Sequence, residues 1–415
     1  MREQSPHYVG LDIGTSTVRC VVGIIDQQDN SKVSVIGHGV APNLGMRKGI
    51  VAHIDDVADS IIKAVNQAEQ VSGVHIQRAT VNINGTHVSG INSRGVVAIS
   101  TANKEITESD RARVEEAATI IKLPPNREII QVFAKNYRID GQDNIKDPVG
   151  MQGIRLEVDT HIVTAIGSNL RNLDMVLEKS RIQPSHYTVS SLAAAEAVLT
   201  RQQKESGTLL LDIGAGTTNM VVVEDGEVQH VGVVPVGSTF LTNDLAIGLK
   251  TDLDIAEAVK IQHAGLGEQV KIGTVSVSVQ KKSYSFDAEE IAMITEARIE
   301  ELFELVDKEL KKIHKSQKLP GGVVIVGGMA KLPGIADFAR EKLQLAARVG
   351  KLQPIGGLID TVADPSFASA VGLMLLDMLL LPTNGHTGSS QLSGGNVFGA
   401  LEGVWHKFKR KSQQT

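Results

Sequence analysis

Residues 209–223 read LLLDIGAGTTNMVVV, and the fold turns on them. One apolar run ends at Asp212, a glycine-bearing stretch follows, and a second apolar run leaves it. Gly214 and Gly216 supply the backbone freedom for a tight reversal, so the stretch predicts a β-hairpin. Backbone N–H groups of Gly214, Ala215 and Gly216, with the hydroxyls of Thr217 and Thr218, make a seat for phosphate oxygens. Asp212, at the strand end, is placed to hold a hydrated Mg²⁺ that bridges those phosphates.

Residues 8–25, YVGLDIGTSTVRCVVGII, repeat the pattern with Asp12, Gly14, Thr15, Ser16 and Thr17 in the corresponding places. The two aspartates stand 200 positions apart (212 − 12), so each half-chain opens on the same hairpin. Neither turn is a GxxxxGK[ST] loop. Each leads into another strand instead of a helix, which excludes the dinucleotide fingerprint. One such turn reads as an ordinary hairpin; two, heading two half-chains, read as a phosphate-binding pair.

Composition narrows the setting. A chain of 415 residues with 42% hydrophobic residues predicts at least two domains with full cores. The net charge of −5 argues against nucleic acid as a partner of the body. Cys20 is the one cysteine, so a disulfide within the chain is excluded, and it reads as a small core residue. MREQSPHY is not a signal peptide, and the most apolar run, 371–381, contains Asp377 and is too short to span a bilayer. These features read as cytosolic. The 12 histidines lack metal-ligand spacing, so no zinc site is expected.

Outward from the first hairpin, the pattern predicts a strand at 33–40, a loop at 45–51, an amphipathic helix at 55–70 and a strand at 79–84. Residues 88–164 look inserted. They hold a strand (95–100), a helix (109–121) and a strand pair (128–140, 153–165). Thr107 and Asp110 have capping-box spacing, and Pro124-Pro125 stops the helix. This α+β segment reads as a docking surface or as a structural embellishment. A helix at 169–180 and a loop at Pro184 lead to a second helix, 190–200, SSLAAAEAVLT. Glu196 is its acid, expected to orient a water toward a γ-phosphate; a surface glutamate is the alternative.

After the second hairpin come a strand at 227–236 and helices at 238–249 and 252–264. Glu257 and Lys260 share a face of the latter, as a grip on a ribose or base or as a plain ion pair. A hairpin at 275–286 precedes a long helix, 288–314, in which Arg298 is set to pair with Glu301. Residues 323–335, VVIVGGMAKLPGI, are a third signature: a buried strand ends in Gly327-Gly328-Met329, where a flat base can lie on the backbone. The helix at 364–377 carries Ala368, Ser369, Ala370 and Gly372, small enough for a close helix crossing.

Residues 383–395, TNGHTGSSQLSGG, read as a flexible linker with a reach of roughly 20 Å. In the following NVFGALEGVWHKFKRK, Val397, Phe398, Leu401, Val404, Trp405 and Phe408 fall within an arc of about 120° on a helical wheel. Lys407, Lys409, Arg410 and Lys411 lie off that arc. A short apolar face among cations predicts a helix lying in a membrane interface; docking back on the body is the alternative.

The signatures at 11–17, 190–200, 211–218, 326–330 and 366–372 occur in the order of the phosphate-1, connect-1, phosphate-2, adenosine and connect-2 motifs. With them the chain resembles the superfamily of actin, the heat-shock ATPases and the sugar kinases. The insertion, the short lobe at 228–308 and the tethered terminal helix make it similar, within that superfamily, to the bacterial FtsA family. The resemblance implies an α/β, actin-like (ribonuclease H-like, duplicated) fold, with two lobes around an ATP cleft. It implies subdomain 1A at 8–84, 165–200 and 360–382, and an inserted 1C at 85–164. It further implies 2A at 201–227 and 309–359, 2B at 228–308, the linker at 383–395 and the amphipathic helix at 396–411. It places Mg²⁺ near Asp12 and Asp212, Glu196 at the water-orienting position, and Glu257 and Lys260 near the adenosine. It implies binding of the C-terminal peptide of the tubulin-like protein FtsZ through 2B, with Arg298 taking part. Self-assembly and later division partners fall to 1C, on the cytoplasmic face of the inner membrane, with at most weak ATPase activity. A type IV pilus assembly adaptor and a small-molecule kinase are the alternatives on the same architecture.

Overall fold

The computed structural model describes residues 6–25 and 33–380. The linker at 383–395 and the terminal helix, with Val397, Phe398, Leu401, Trp405, Phe408, Lys409 and Arg410, lie outside the described residues. Among the described residues, no helix is long and apolar enough to cross a membrane.

Two sheets carry the twin hairpins. The first runs Gln183–Val189, Arg78–Ile83, His7–Ile13, Thr17–Ile25, Val33–Pro42, Gly356–Gly357. The second runs Glu227–Val234, Thr218–Glu224, Thr208–Ile213, Gly322–Val326, Ala347–Val349. In both, the opening strand pairs antiparallel with its hairpin mate and parallel with a strand from later in the chain. Such a central strand is buried on both faces, which is why 209–213 and 221–223 read as nearly unbroken apolar runs. Leu209, Leu211 and Ile213 face the core of the second lobe, whereas Leu210, Val221 and Val223 face the core shared with the first.

Two helices lie between the sheets. Ala368–Leu380 rests on the first hairpin and Ser190–Val198 lies against the second. They cross where a Cβ on Gly372 would overlap the Ala193 carbonyl, so the small-residue stripe is what permits the approach. Buried Asp377 accepts from the Val9 N–H at 3.0 Å and the Thr80 hydroxyl at 2.8 Å, which anchors the last helix to the first sheet.

The insertion is a layer of its own, ordered Ser89–Ala98, Arg155–Ile166, Arg127–Ile139, Gln142–Ile145. Its helix Glu108–Ala118 starts with the Thr107–Asp110 capping box. The sheet also covers the outer strand of the second lobe. His161 Nε2 accepts from the Val231 N–H at 2.9 Å, and the Lys135 ammonium donates to the Gln229 carbonyl at 3.1 Å. A bare sheet edge is a template for pairing with another chain; here the insertion occupies it. Accepting through Nε2 requires a neutral imidazole. Burial, with His230 and Lys135 alongside, holds the His161 pKa well below its usual value.

Several expectations shift. Pro184 lies in an edge strand, Gln183–Val189, and not in a loop; at an edge its missing N–H removes no ladder bond. The helix predicted over 190–200 ends at Val198, and Thr200 caps a separate short helix, Arg201–Ser206, through Gln203. The loop at 45–51 folds as a small hairpin, Met46–Arg47 with Ile50–Val51. The boundary expected at 228 falls inside a strand of the second sheet, and Gly356–Gly357 pairs with Ser34 and Val35 of the first, ahead of the boundary expected at 360.

Candidate functional site

The two turns are built alike. The Gly14 N–H donates to the Thr17 carbonyl and the Gly214 N–H to the Thr217 carbonyl, both at 3.0 Å. They meet across the lobes: a Cβ on Gly216 would lie 2.8 Å from the Thr15 hydroxyl oxygen. Gly14, Thr15, Ser16 and Thr17 thus face Gly214, Ala215, Gly216 and Thr217. Thr218 departs from expectation, because its hydroxyl proton is committed to the Val236 carbonyl at 2.8 Å. The second turn also seats a helix: the Ser238 and Thr239 N–H groups donate to the Gly214 and Ala215 carbonyls at 2.9 Å, satisfying two donors of the helix Ser238–Gly248.

Asp12 and Asp212 are buried beside the turns. The Asn82 amide donates to Asp12 at 2.6 Å while its oxygen accepts from the Ile13 N–H at 2.7 Å. The Ser369 hydroxyl donates to Asp212 at 2.9 Å. Burial pushes the Asp12 carboxyl up to about 7, with Arg19 opposing and Asp212 adding to the rise. Burial raises Asp212 too, against the Ser369 hydrogen bond and Arg19. Arg19 stands directly opposite Asp12 in the hairpin register and acts on both carboxylates. Sequence reading passed over it; its signal was a lone cation in an otherwise apolar strand. Around the pair, Arg19 Nε, Asn219 Oδ1 and the Ser190 hydroxyl are buried with no hydrogen-bond partner. Two buried carboxylates, raised by desolvation and facing one cleft, fit a hydrated divalent cation.

The third signature closes the far side. Gly327 has φ 86°, and a Cβ there would lie 2.6 Å from Asp212 Oδ1, so the position demands glycine. Its N–H donates to the Pro365 carbonyl at 3.0 Å, joining the second lobe to the start of the last helix. A Cβ on Gly328 would meet nothing within 4 Å, leaving open space over the backbone, and Met329 is buried behind it. Lys260 donates to Glu257 at 2.6 Å and to the Thr242 hydroxyl at 2.9 Å. The pair sits on the helix Leu253–His263, and the Lys260 ammonium also donates to the Ser238 carbonyl at 3.4 Å, at the start of the helix seated on the second turn.

Two expected residues stand elsewhere. Ser190, the first residue of its helix, stands at the cleft end: its carbonyl lies 3.3 Å from the Ser369 hydroxyl, the group that donates to Asp212. Glu196 lies six residues on, about 9 Å along the axis, and its carboxylate is held at 2.6 Å by buried Lys204. In this structure Glu196 is engaged as an ion pair, which the Thr200–Gln203 capping box favours by turning the chain so that Lys204 comes back. Arg298 does pair with Glu301, but its main partner is Asp244, at 2.5 and 3.0 Å from two guanidinium nitrogens. It also lies over the Phe240 ring, so it is tied within its lobe. A polar groove of about 700 Å³ between the insertion and the second lobe, lined by Lys135, Lys146, Asp159, Glu224 and Glu227 among others, shares no residue with the turns.

Residues 85–164 match the family model "SHS2 domain inserted in FTSA", and residues 209–372 match "Cell division protein FtsA". The cell division protein FtsA of Neisseria meningitidis serogroup B is 35% identical over 407 residues, spanning 95% of this chain and 97% of that one. The chain belongs to the FtsA family. Its fold is shared with the PilM-PilN type IV pilus biogenesis complex (TM-score 0.62, 18% identity, 89% of this chain and 98% of that one). It is also shared with MreB5 of Spiroplasma citri bound to ADP (TM-score 0.52, 13% identity, 90% and 96%). By family and by fold this FtsA-family chain is an actin-like cell-division protein, and neither the pilus adaptor nor the small-molecule kinase is favoured.

Proposed function

We propose that the cleft binds Mg·ATP as a conformational ligand and that the closed chain assembles head to tail into filaments that tether the division ring to the cytoplasmic face of the inner membrane. The carrying observation is the pair of identical turns meeting across the lobes beside two buried carboxylates. In this reading Gly14–Thr17 and Gly214–Thr217 bind phosphate oxygens through N–H and hydroxyl groups. Asp12 and Asp212 hold the hydrated cation, and Glu257, Lys260, Gly327, Gly328 and Met329 border the adenosine. Mg²⁺ supplies positive charge against the phosphates and the two aspartates. With Glu196 engaged by Lys204, rapid hydrolysis is not part of the proposal. Calorimetry on Asp212→Ala tests the cleft: Mg·ATP binding falls by at least tenfold, and unchanged affinity removes the metal role.

The subdomain division 1A, 1C, 2A, 2B is kept, with the second sheet extended to Val234. The FtsZ peptide is assigned to the lobe at 228–308, where Ile247, Leu253, Ile261 and Met293 are exposed; Arg298 serves there by bracing the helices. Self-association and later division partners are assigned to the insertion. The terminal helix at 396–411 is assigned to anionic membrane, by the apolar and basic pattern of its sequence. Liposome pelleting of the full chain against one ending at Pro382 checks it: the shortened chain stays in the supernatant, and equal pelleting removes the anchor.

A further inference from the structure

The hairpin Met46–Arg47 with Ile50–Val51 turns on two residues, Lys48 and Gly49, both left-handed at φ 49° and 73°. A two-residue reversal of this kind favours Asn, Asp or Gly at its first position. Lysine gains nothing there from the local backbone, and a strained residue in a functional cleft points to a use for its side chain. The tip is wedged in place. A Cβ on Gly49 would lie 2.6 Å from the Gly85 nitrogen, and the Gly49 N–H donates to the Thr15 hydroxyl at 3.0 Å. On the opposite side, a Cβ on Gly216 would lie 3.0 Å from the Lys48 Cα. The Lys48–Gly49 tip thus touches both phosphate turns at once, Gly49 the first and Lys48 the second.

Its ammonium is 5.0 Å from the centre of the Phe240 ring, on the first turn of the helix seated on Gly214 and Ala215. No carboxylate pairs with it among the described residues. Arg19, the other cation at the turns, is tied to the Thr17 hydroxyl at 2.7 Å and lies over Phe367, beside the carboxylates. Lysine is a compact charge on a flexible stem, whereas the aromatic face is an exchangeable rest for it.

We infer that Lys48 is a phosphate-contacting residue of the cleft, whose ammonium leaves the Phe240 ring for the terminal phosphate of a nucleoside triphosphate. This rests on the cleft being a nucleotide site. The contact would make closure of the lobes sensitive to the number of phosphates, because Lys48 sits where the two turns meet. A charge-assisted bond to phosphate outweighs the ring contact it replaces.

Calorimetry on the full chain and its Lys48→Gln, Lys48→Arg and Asp212→Ala variants, with Mg·ATP, Mg·ADP and AMP, tests this. Thermal melts report that each variant is folded. Lys48→Gln weakens ATP about tenfold, ADP less and AMP not at all; Lys48→Arg keeps most of the ATP affinity. If Lys48→Gln binds ATP like the parent while Asp212→Ala does not, the cleft stands and Lys48 is no ligand. If Lys48→Gln loses all three nucleotides equally, the residue only supports the hairpin, and the inference fails. If the parent binds none of them, the cleft reading falls and Lys48 with it.

Discussion

The first and second hairpins share a backbone and differ in almost everything that surrounds it. Offset by 200, Asp12 matches Asp212, Gly14 matches Gly214 and Thr17 matches Thr217, and the turn hydrogen bonds are the same length. Around this frame, Arg19 is replaced by Asn219, Ser16 by Gly216 and Gly10 by Leu210. Asp12 takes its hydrogen bond from Asn82 of its own sheet, whereas Asp212 takes it from Ser369, on the helix that rests on the other lobe. The turn is thus a portable local unit. Which helix lies on it, and which side chain steadies its carboxylate, decides what each copy contributes. The first copy brings the cation; the second brings the glycine that lets the lobes touch.

Exchanging residues between the copies tests that division. Gly10→Leu gives the first strand the residue of the second. The new side chain would overlap the Ala370 carbonyl and lift the last helix, so about 3 kcal/mol or more of stability is lost in a urea titration. A loss below about 1 kcal/mol would mean that the helix is not seated there. Gly216→Ser makes the second turn read like the first. Its side chain would enter the space of Thr15 and Lys48, wedging the lobes apart and weakening Mg·ATP by roughly thirtyfold, about 2 kcal/mol, with little change in melting temperature. Unaltered binding would show that the turns need not touch. Arg19→Asn equalises the two carboxylate environments. It removes the cation that opposes the Asp12 rise and weakens triphosphate binding about threefold at neutral pH, read by the same calorimetry. An increase in affinity would reverse the role given to Arg19.

Elements with local causes were legible. The capping box at Thr107 forms as spaced, because its two hydrogen bonds lie within four residues. Pro184 misled, because proline reads as a loop former and its tolerance in an edge strand depends on which strand is outermost. Arg298 showed its neighbour Glu301 in sequence, but not Asp244, 54 residues away on another helix.

By itself the sequence determined the duplication, the two turns, the glycines at 327 and 328 and the insertion, because each rests on bonding or conformational demands within a few residues. Only the tertiary structure decided the rest. It brought Ser190 to Ser369 and Glu196 to Lys204, set Arg19 against both aspartates, and placed the Lys48 tip between the turns. Which end of a helix meets a cleft, and which cation reaches a buried charge, depends on how distant elements pack, and residue spacing along one helix carries no record of that.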